Sequence, residues 1–169
     1  MKEEQQLISH MQALALMYED RPWEEEPDEK SYNLTIVRGE PIVFNCEILR
    51  HPTLLHLCGY VSIDIPKEVT NQIRMRVERL DVHGGVTYFE HKKDRMTVGF
   101  DCSHSVDFSP GLYRAGLNVR VVGHPCNYKT IAYVEKQIKR LAGNLADLLI
   151  RAGTKNGKVQ DKQDQRVLR

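Results

Sequence analysis

The stretch Val86-Thr-Tyr-Phe-Glu-His-Lys-Lys-Asp-Arg-Met-Thr-Val-Gly-Phe-Asp101 decides how this chain folds. Two segments with strand character, Val86–His91 and Met96–Asp101, flank the polar tetrad Lys92-Lys93-Asp94-Arg95. Alternation on both sides of a polar turn predicts a β-hairpin. If the hairpin closes symmetrically on the tetrad, His91 faces Met96, Phe89 faces Val98 and Thr87 faces Phe100. Carried further, the same register sets Gly85 opposite Cys102 and His83 opposite His104. Side chains alternate with period two, so all of these share one face. The expectation is a cluster of His83, Cys102 and His104 at the open end of the hairpin. Asp101 points to the other face, and Asp81 and Asp107 lie close by.

Upstream, Leu34–Val37 and Ile42–Leu49 flank a Gly39–Pro41 turn, and Leu55–Ile65 ends at Pro66; each reads as a strand. Lys67–Gln72 reads as a helical turn or a loop. Ile73, Met75 and Val77 alternate before the apolar parity shifts to Leu80 and Val82, which is the pattern of a strand with a β-bulge. Downstream, Ser103–Gly111 reads as a loop and Leu117–Val122 as a further strand. The plainest element is a helix from Thr130 to Ala152. Ile131, Val134, Ile138, Leu141, Leu145, Leu148 and Leu149 form one apolar stripe, with Thr130 as N-cap and Gly153 as stop. At about 33 Å this helix can lie across a whole sheet.

The architecture expected is α+β: a small, mostly antiparallel sheet with a long C-terminal helix packed on it and an N-terminal helix. Residues 1–18 form that N-terminal helix, with Leu7, Met11, Leu14 and Met17 on one stripe. Residues 19–31 form an acidic linker, read as a solvated connection or as an arm covering a basic surface. Residues 32–153 are the α+β domain, and 154–169 are a polar tail without a period, expected to be disordered.

A chain of 169 residues suits one domain with a proper hydrophobic core. Its net charge of +1 provides no global electrostatic argument for nucleic acid or membrane. No segment approaches the ~20 apolar residues that span a bilayer, and Met-Lys-Glu-Glu-Gln-Gln at the N-terminus is no secretory signal. Cys46, Cys58, Cys102 and Cys126 form no CxxC pair and are expected as reduced thiols. Together these features point to a soluble protein of the cytoplasm, with neither membrane nor nucleic acid as partner.

Three chemistries suit the predicted cluster. His83, Cys102 and His104 match zinc, with Cys58, His124 or Cys126 as a fourth ligand. Cys102 could instead be a nucleophile activated by either histidine. Paired imidazoles could also hydrolyse a phosphodiester or glycosidic bond, with Asp81 or Asp107 orienting one of them. Against all three stands a purely structural role, with Cys102 a core thiol in line with Val98 and Phe100. Gly84-Gly85 suggests a bulge or the close approach of a ligand or backbone. Arg74, Arg76 and Arg79 alternate and could form a stripe for phosphate or a solvated face. Tyr60, Tyr88, Tyr113, Tyr128 and Tyr133 could stack on a base or pack with the hydroxyl at the surface.

The runs Leu80-Asp-Val-His-Gly-Gly-Val-Thr-Tyr88 and Gly99-Phe-Asp-Cys-Ser-His104, followed by Asp107, resemble a family of small phage- and prophage-encoded proteins. Its members share an HGGLTY segment, a GFDCAH segment followed shortly by an acidic residue, and a closing helix. Cys58-Gly-Tyr-Val61 and Tyr133-Val-Glu…Leu141-Ala are also similar, so the resemblance covers roughly residues 55–150. Thr97-Val98 stands where the family has a tryptophan pair, and Ser103 replaces its alanine. The resemblance implies phage origin and action in the host cytoplasm, and it implies no particular reaction.

The function expected on these grounds is that of a phage accessory protein that recognises a small nucleotide-like ligand, binding or cleaving it, to counteract host defence signalling. Arg74, Arg76, Gly84, Gly85, Tyr88 and Asp101 would contact the ligand, and His83, Cys102, His104 and Asp107 would carry any chemistry. The alternatives are an interaction module that inhibits a host protein, with residues 19–29 or the long helix as its surface, and a zinc-dependent hydrolase. A helix stripe left exposed would point to a homo-oligomer.

Overall fold

A computed structural model describes residues 21–115, 127–155 and 158–159. The expected helix over residues 1–18, the strand Leu117–Val122 and the side chains of His124 and Cys126 lie outside the described residues. The described elements are a helical turn α1 (Pro22–Glu25), strands β1 (Glu29–Arg38), β2 (Glu40–Arg50) and β3 (Leu57–Asp64), and helix α2 (Lys67–Val77). Then come β4 (Tyr88–Lys92), β5 (Arg95–Asp101), the short helix α3 (Pro110–Arg114) and the long helix α4 (Ile131–Arg151). Five strands pair antiparallel in the order β1-β2-β3-β5-β4, so the chain is α+β.

The β4–β5 hairpin has the register read from its sequence: Tyr88 pairs with Gly99, Phe89 with Val98 and His91 with Met96. Lys93 and Asp94 both take positive φ, 50° and 58°, the backbone of a two-residue turn that matches the twist of the flanking strands. Paired strands stop at Tyr88; among the described residues the one continuation is a bond from Thr87 N–H to the Gly99 carbonyl.

One sheet face is apolar. Ile42, Phe44, Cys46 and Ile48 from β2, Val61 and Ile63 from β3, and Met96, Val98 and Phe100 from β5 are all buried there. Helix α4 packs over this face against β3, β1 and β2. Its buried residues Ile131, Val134, Ile138, Leu141, Leu145 and Leu149 are the apolar stripe seen in the sequence. A Cβ at Gly59 would stand 2.7 Å from the Phe100 ring and 3.0 Å from Val134, so the missing side chain makes room for both.

Two regions depart from expectation. The predicted bulged strand through Ile73, Met75 and Val77 is the second half of α2. Val69, Ile73 and Val77 recur every four residues and are buried, whereas Met75 is 63% exposed. Helix α2 packs against α4, which rewards the four-residue spacing over the alternation. The acidic linker keeps Glu24, Glu25, Asp28 and Glu29 exposed, as a solvated connection would, but the fold also holds it at particular residues. Trp23 is buried against Phe108 and Tyr128. Glu26 accepts hydrogen bonds from the Tyr128 hydroxyl and from the Ile131 backbone N–H, both at 2.8 Å. That places a carboxylate on the N-terminus of α4, where orphan donors and the helix dipole favour it. Asp28, itself 85% exposed, receives the Arg50 guanidinium at 2.7 Å, and the Arg50 side chain is only 4% exposed. In the tail, Thr154–Lys155 pairs with Lys158–Val159, a short hairpin where no element was expected.

Candidate functional site

The loop after β5 is pinned before it reaches the helix. Ser109 Oγ donates to the Leu54 carbonyl at 2.6 Å, and Asp107 bridges in parallel to Asn127. These ties bring the Asp107 carboxylate beneath two imidazoles. Oδ2 of Asp107 is 2.7 Å from His83 Nε2, 3.2 Å from His104 Nδ1 and 2.9 Å from the His104 backbone N. The two rings meet edge to face with centroids 5.1 Å apart. His83 is fixed on its other side, where the Tyr133 hydroxyl lies 2.9 Å from Nδ1. Gln137, one turn along α4, accepts from the His83 backbone N–H at 3.2 Å.

A carboxylate can only accept, so both ring nitrogens that touch Asp107 carry protons in the neutral imidazoles. His83 is then the Nε2–H tautomer, with Nδ1 accepting from Tyr133, and both of its nitrogens are engaged. His104 is the Nδ1–H tautomer, and its Nε2 is left with a lone pair. Asp107 is 2% exposed. Burial alone would raise its pKa, but the hydrogen bonds from His83 and from the His104 backbone outweigh it and bring it to about 2. Lys129 Nζ stands 3.5 Å from Oδ1, yet that oxygen is buried without a hydrogen-bond partner.

Gly84 explains the glycine pair beside the cluster. A Cβ there would lie 1.8 Å from His104 Cε1 and 1.9 Å from Nε2; the imidazole rests on the bare backbone. Gly84 and Gly85 have φ of +65° and +90°, and the Gly85 N–H closes the turn onto the Val82 carbonyl. That donor is therefore spent within the chain rather than presented to a phosphate.

Not all of the expected site residues gather here. His83, His104 and Asp107 do, and their ligand-type atoms lie within 4.8 Å of one another. Cys102 is 1% exposed in the hydrophobic core and does not belong to that group. Its thiol is pushed well above the ordinary range, first by burial and then by the charge of Asp107. Arg74 and Arg76 lie on α2, whose helical period turns them apart, so the alternating stripe is not formed. Arg74 pairs with Glu78 at 3.2 Å and sits over the Phe89 ring. Asp81 pairs with Arg140. Tyr88 and Asp101 border a separate cavity with Cys58, whose thiol pKa is raised by burial. Sequence reasoning did not single out Lys129 or Gln137. Tyr133 and Gln137 are four residues apart, on one side of a helix, and that spacing was the available signal.

The chain is thus an α+β protein with a buried carboxylate clasped by two imidazoles at the end of its sheet. Comparison with protein-family models, with curated proteins and with solved structures finds no match. Among the described residues, no helix is long and apolar enough to cross a membrane.

Proposed function

We propose that this protein binds and cleaves a small nucleotide-like ligand, with Asp107 and His104 as its acid–base dyad. One observation carries the reading: His104 Nδ1 is held by a fully buried carboxylate, while its Nε2 has no hydrogen bond to any described residue. In a phosphodiester hydrolysis, Nε2 takes a proton from water as the oxygen of that water attacks phosphorus. The bond from phosphorus to the leaving oxygen breaks, and the imidazolium returns its proton to that oxygen. Asp107 keeps the tautomer and stabilises the transient charge, and such positioned proton transfer contributes about 10²–10⁴-fold. His83 and Tyr133 act as positioning residues, since both nitrogens of His83 are already engaged. The likeness of Leu80–Tyr88 and Gly99–Asp107 to phage and prophage proteins supports a phage accessory role in the host cytoplasm, directed at nucleotide signals of host defence.

A second reading rests on a different observation. His83, His104 and Asp107 present two imidazoles and a carboxylate within 4.8 Å, a donor set that suits a divalent ion with open positions for water and substrate. The protein would then be a zinc-dependent hydrolase, with Asp107 replacing Cys102 in the expected ligand set. One experiment separates the two readings. Turnover of bis(p-nitrophenyl) phosphate is measured before and after dialysis against EDTA, with elemental analysis of the same samples. Metal-free turnover that His104→Ala abolishes supports the dyad. One equivalent of zinc, with activity lost on chelation, supports the metal centre. No turnover in any sample overturns both.

A further inference from the structure

We infer that the cavity beside this centre, bordered by His56, Tyr60, Tyr88, Asp101 and Ser103, is a pocket for a planar nitrogen heterocycle with adjacent N–H donors, as in guanine. The inference rests on the reading of the site as one for nucleotide-like ligands, and it names the part of the ligand that would be recognised.

The cavity measures about 350 Å³, within the range of small-molecule sites. Its walls offer ring faces and edges. His51 and His56 stack with centroids 4.9 Å apart, and Tyr60 meets Tyr88 edge to face at 5.4 Å. Stacking on such side chains is a common way to hold a base.

The polar groups narrow the choice. His56 is 5% exposed, and its Nδ1 has no hydrogen-bond partner. Among the described residues, the only other buried side-chain nitrogen or oxygen in that condition is Asp107 Oδ1. A buried polar atom without a partner is costly, and in native proteins it calls for an explanation such as a functional role, an ion or a water. Burial first, and then His51, lower the pKa of His56. The His51 ring is locked because its Nδ1 accepts from the backbone N–H groups of Thr53 and Leu54. Asp101 Oδ1 accepts the Ser103 N–H at 3.0 Å, and a carboxylate with its several lone pairs has acceptor capacity left. Guanine offers such a group two neighbouring donors, N1–H and its exocyclic amine. Adenine sets a ring acceptor beside its amine, which the carboxylate repels.

Position ties the pocket to the dyad. Ser103 in its wall is the chain neighbour of His104. A nucleotide whose base sits here would have to extend past Ser103 to reach His104.

The test is calorimetric titration of the full chain with GMP, IMP and AMP. Wild type should bind GMP about tenfold or more tightly than AMP, as a paired contact to a base edge implies, with IMP between them. Asp101→Asn should weaken GMP by about tenfold and close most of the gap to AMP. His56→Phe, which keeps the ring and removes its nitrogens, should also weaken GMP, while His104→Ala should leave it bound. Equal binding of GMP and AMP, GMP affinity unchanged in Asp101→Asn, or no mononucleotide binding by wild type would each overturn the pocket. Failure of the dyad reading looks different: GMP binding and its dependence on Asp101 would persist without turnover of bis(p-nitrophenyl) phosphate.

Discussion

The hydroxyl of Tyr133 meets Nδ1 of His83 at 2.9 Å, tying the first turn of the closing helix to the turn that precedes the hairpin. Through His83 the same link continues to Asp107 and His104. Tyr133→Phe removes one hydrogen bond and leaves the ring packing in place. We expect a stability loss of about 0.5–1.5 kcal/mol in urea unfolding, together with a change of His83 tautomer populations in nitrogen-15 spectra. An unchanged tautomer would mean that Tyr133 does not set the orientation of His83.

Gly84 and Gly85 are predicted to differ although both have positive φ. Gly85→Ala meets open space and should carry only the left-handed backbone penalty, about 1–2 kcal/mol. Gly84→Ala adds a collision with the His104 imidazole. It should destabilise more and displace that ring. Equal melting temperatures for the two variants, with His104 resonances unmoved, would contradict the packing described here.

Cys102 should be inert. Burial pushes its thiol up, and it is only 1% exposed. Native protein treated with iodoacetamide at pH 8 should leave Cys102 unmodified, and unfolded protein should not. Cys102→Ala should retain turnover at a modest cost in stability. Rapid alkylation of the native chain at Cys102 would restore the nucleophile reading.

Asp107 sets an acid dependence whose sign follows from its pKa, about 2 against an ordinary 3.8. A depressed carboxylate contributes stability that is fully present above its unfolded value. That contribution is lost as pH falls from about 4 through about 2. It amounts to about 2 kcal/mol. The stability gap between wild type and Asp107→Asn should therefore shrink between pH 5 and pH 2.5. A gap constant over that range would show that the hydrogen bonds do not favour the ionised form.

Helix α4 should be required for folding. Leu141 and Leu145 are fully buried against the sheet, and either change to Ala should cost about 2–5 kcal/mol. Glu26→Gln should cost less, since its amide oxygen can still accept at the helix N-terminus while the charge near Arg50 is lost. A cost below about 1 kcal/mol for Leu141→Ala would mean that the stripe is not a core face.

What the sequence determined by itself was whatever repeats at short range. The hairpin register follows from alternation about Lys93-Asp94, and α4 follows from a stripe whose spacing is set by the helical period. Pattern also brought His83 toward His104, although the pairing that suggested it stops at Tyr88 and the Val82–Gly85 turn completes the approach. Where two periods fit one segment, the sequence could not choose. Ile73 and Val77 satisfy both alternation and a four-residue repeat, and the choice came from packing of α2 on α4. Tertiary structure alone decided which polar group joins the histidines. Cys102 continues the inward parity of β5 and so enters the core. Asp107 arrives through an aperiodic loop anchored to Leu54 and Asn127. Glu26 likewise reads as one charge in a run until the fold brings Arg50, Tyr128 and the start of α4 around it. A hydrogen bond between residues 105 positions apart leaves no mark on local periodicity, because the chain geometry that creates it is the fold itself.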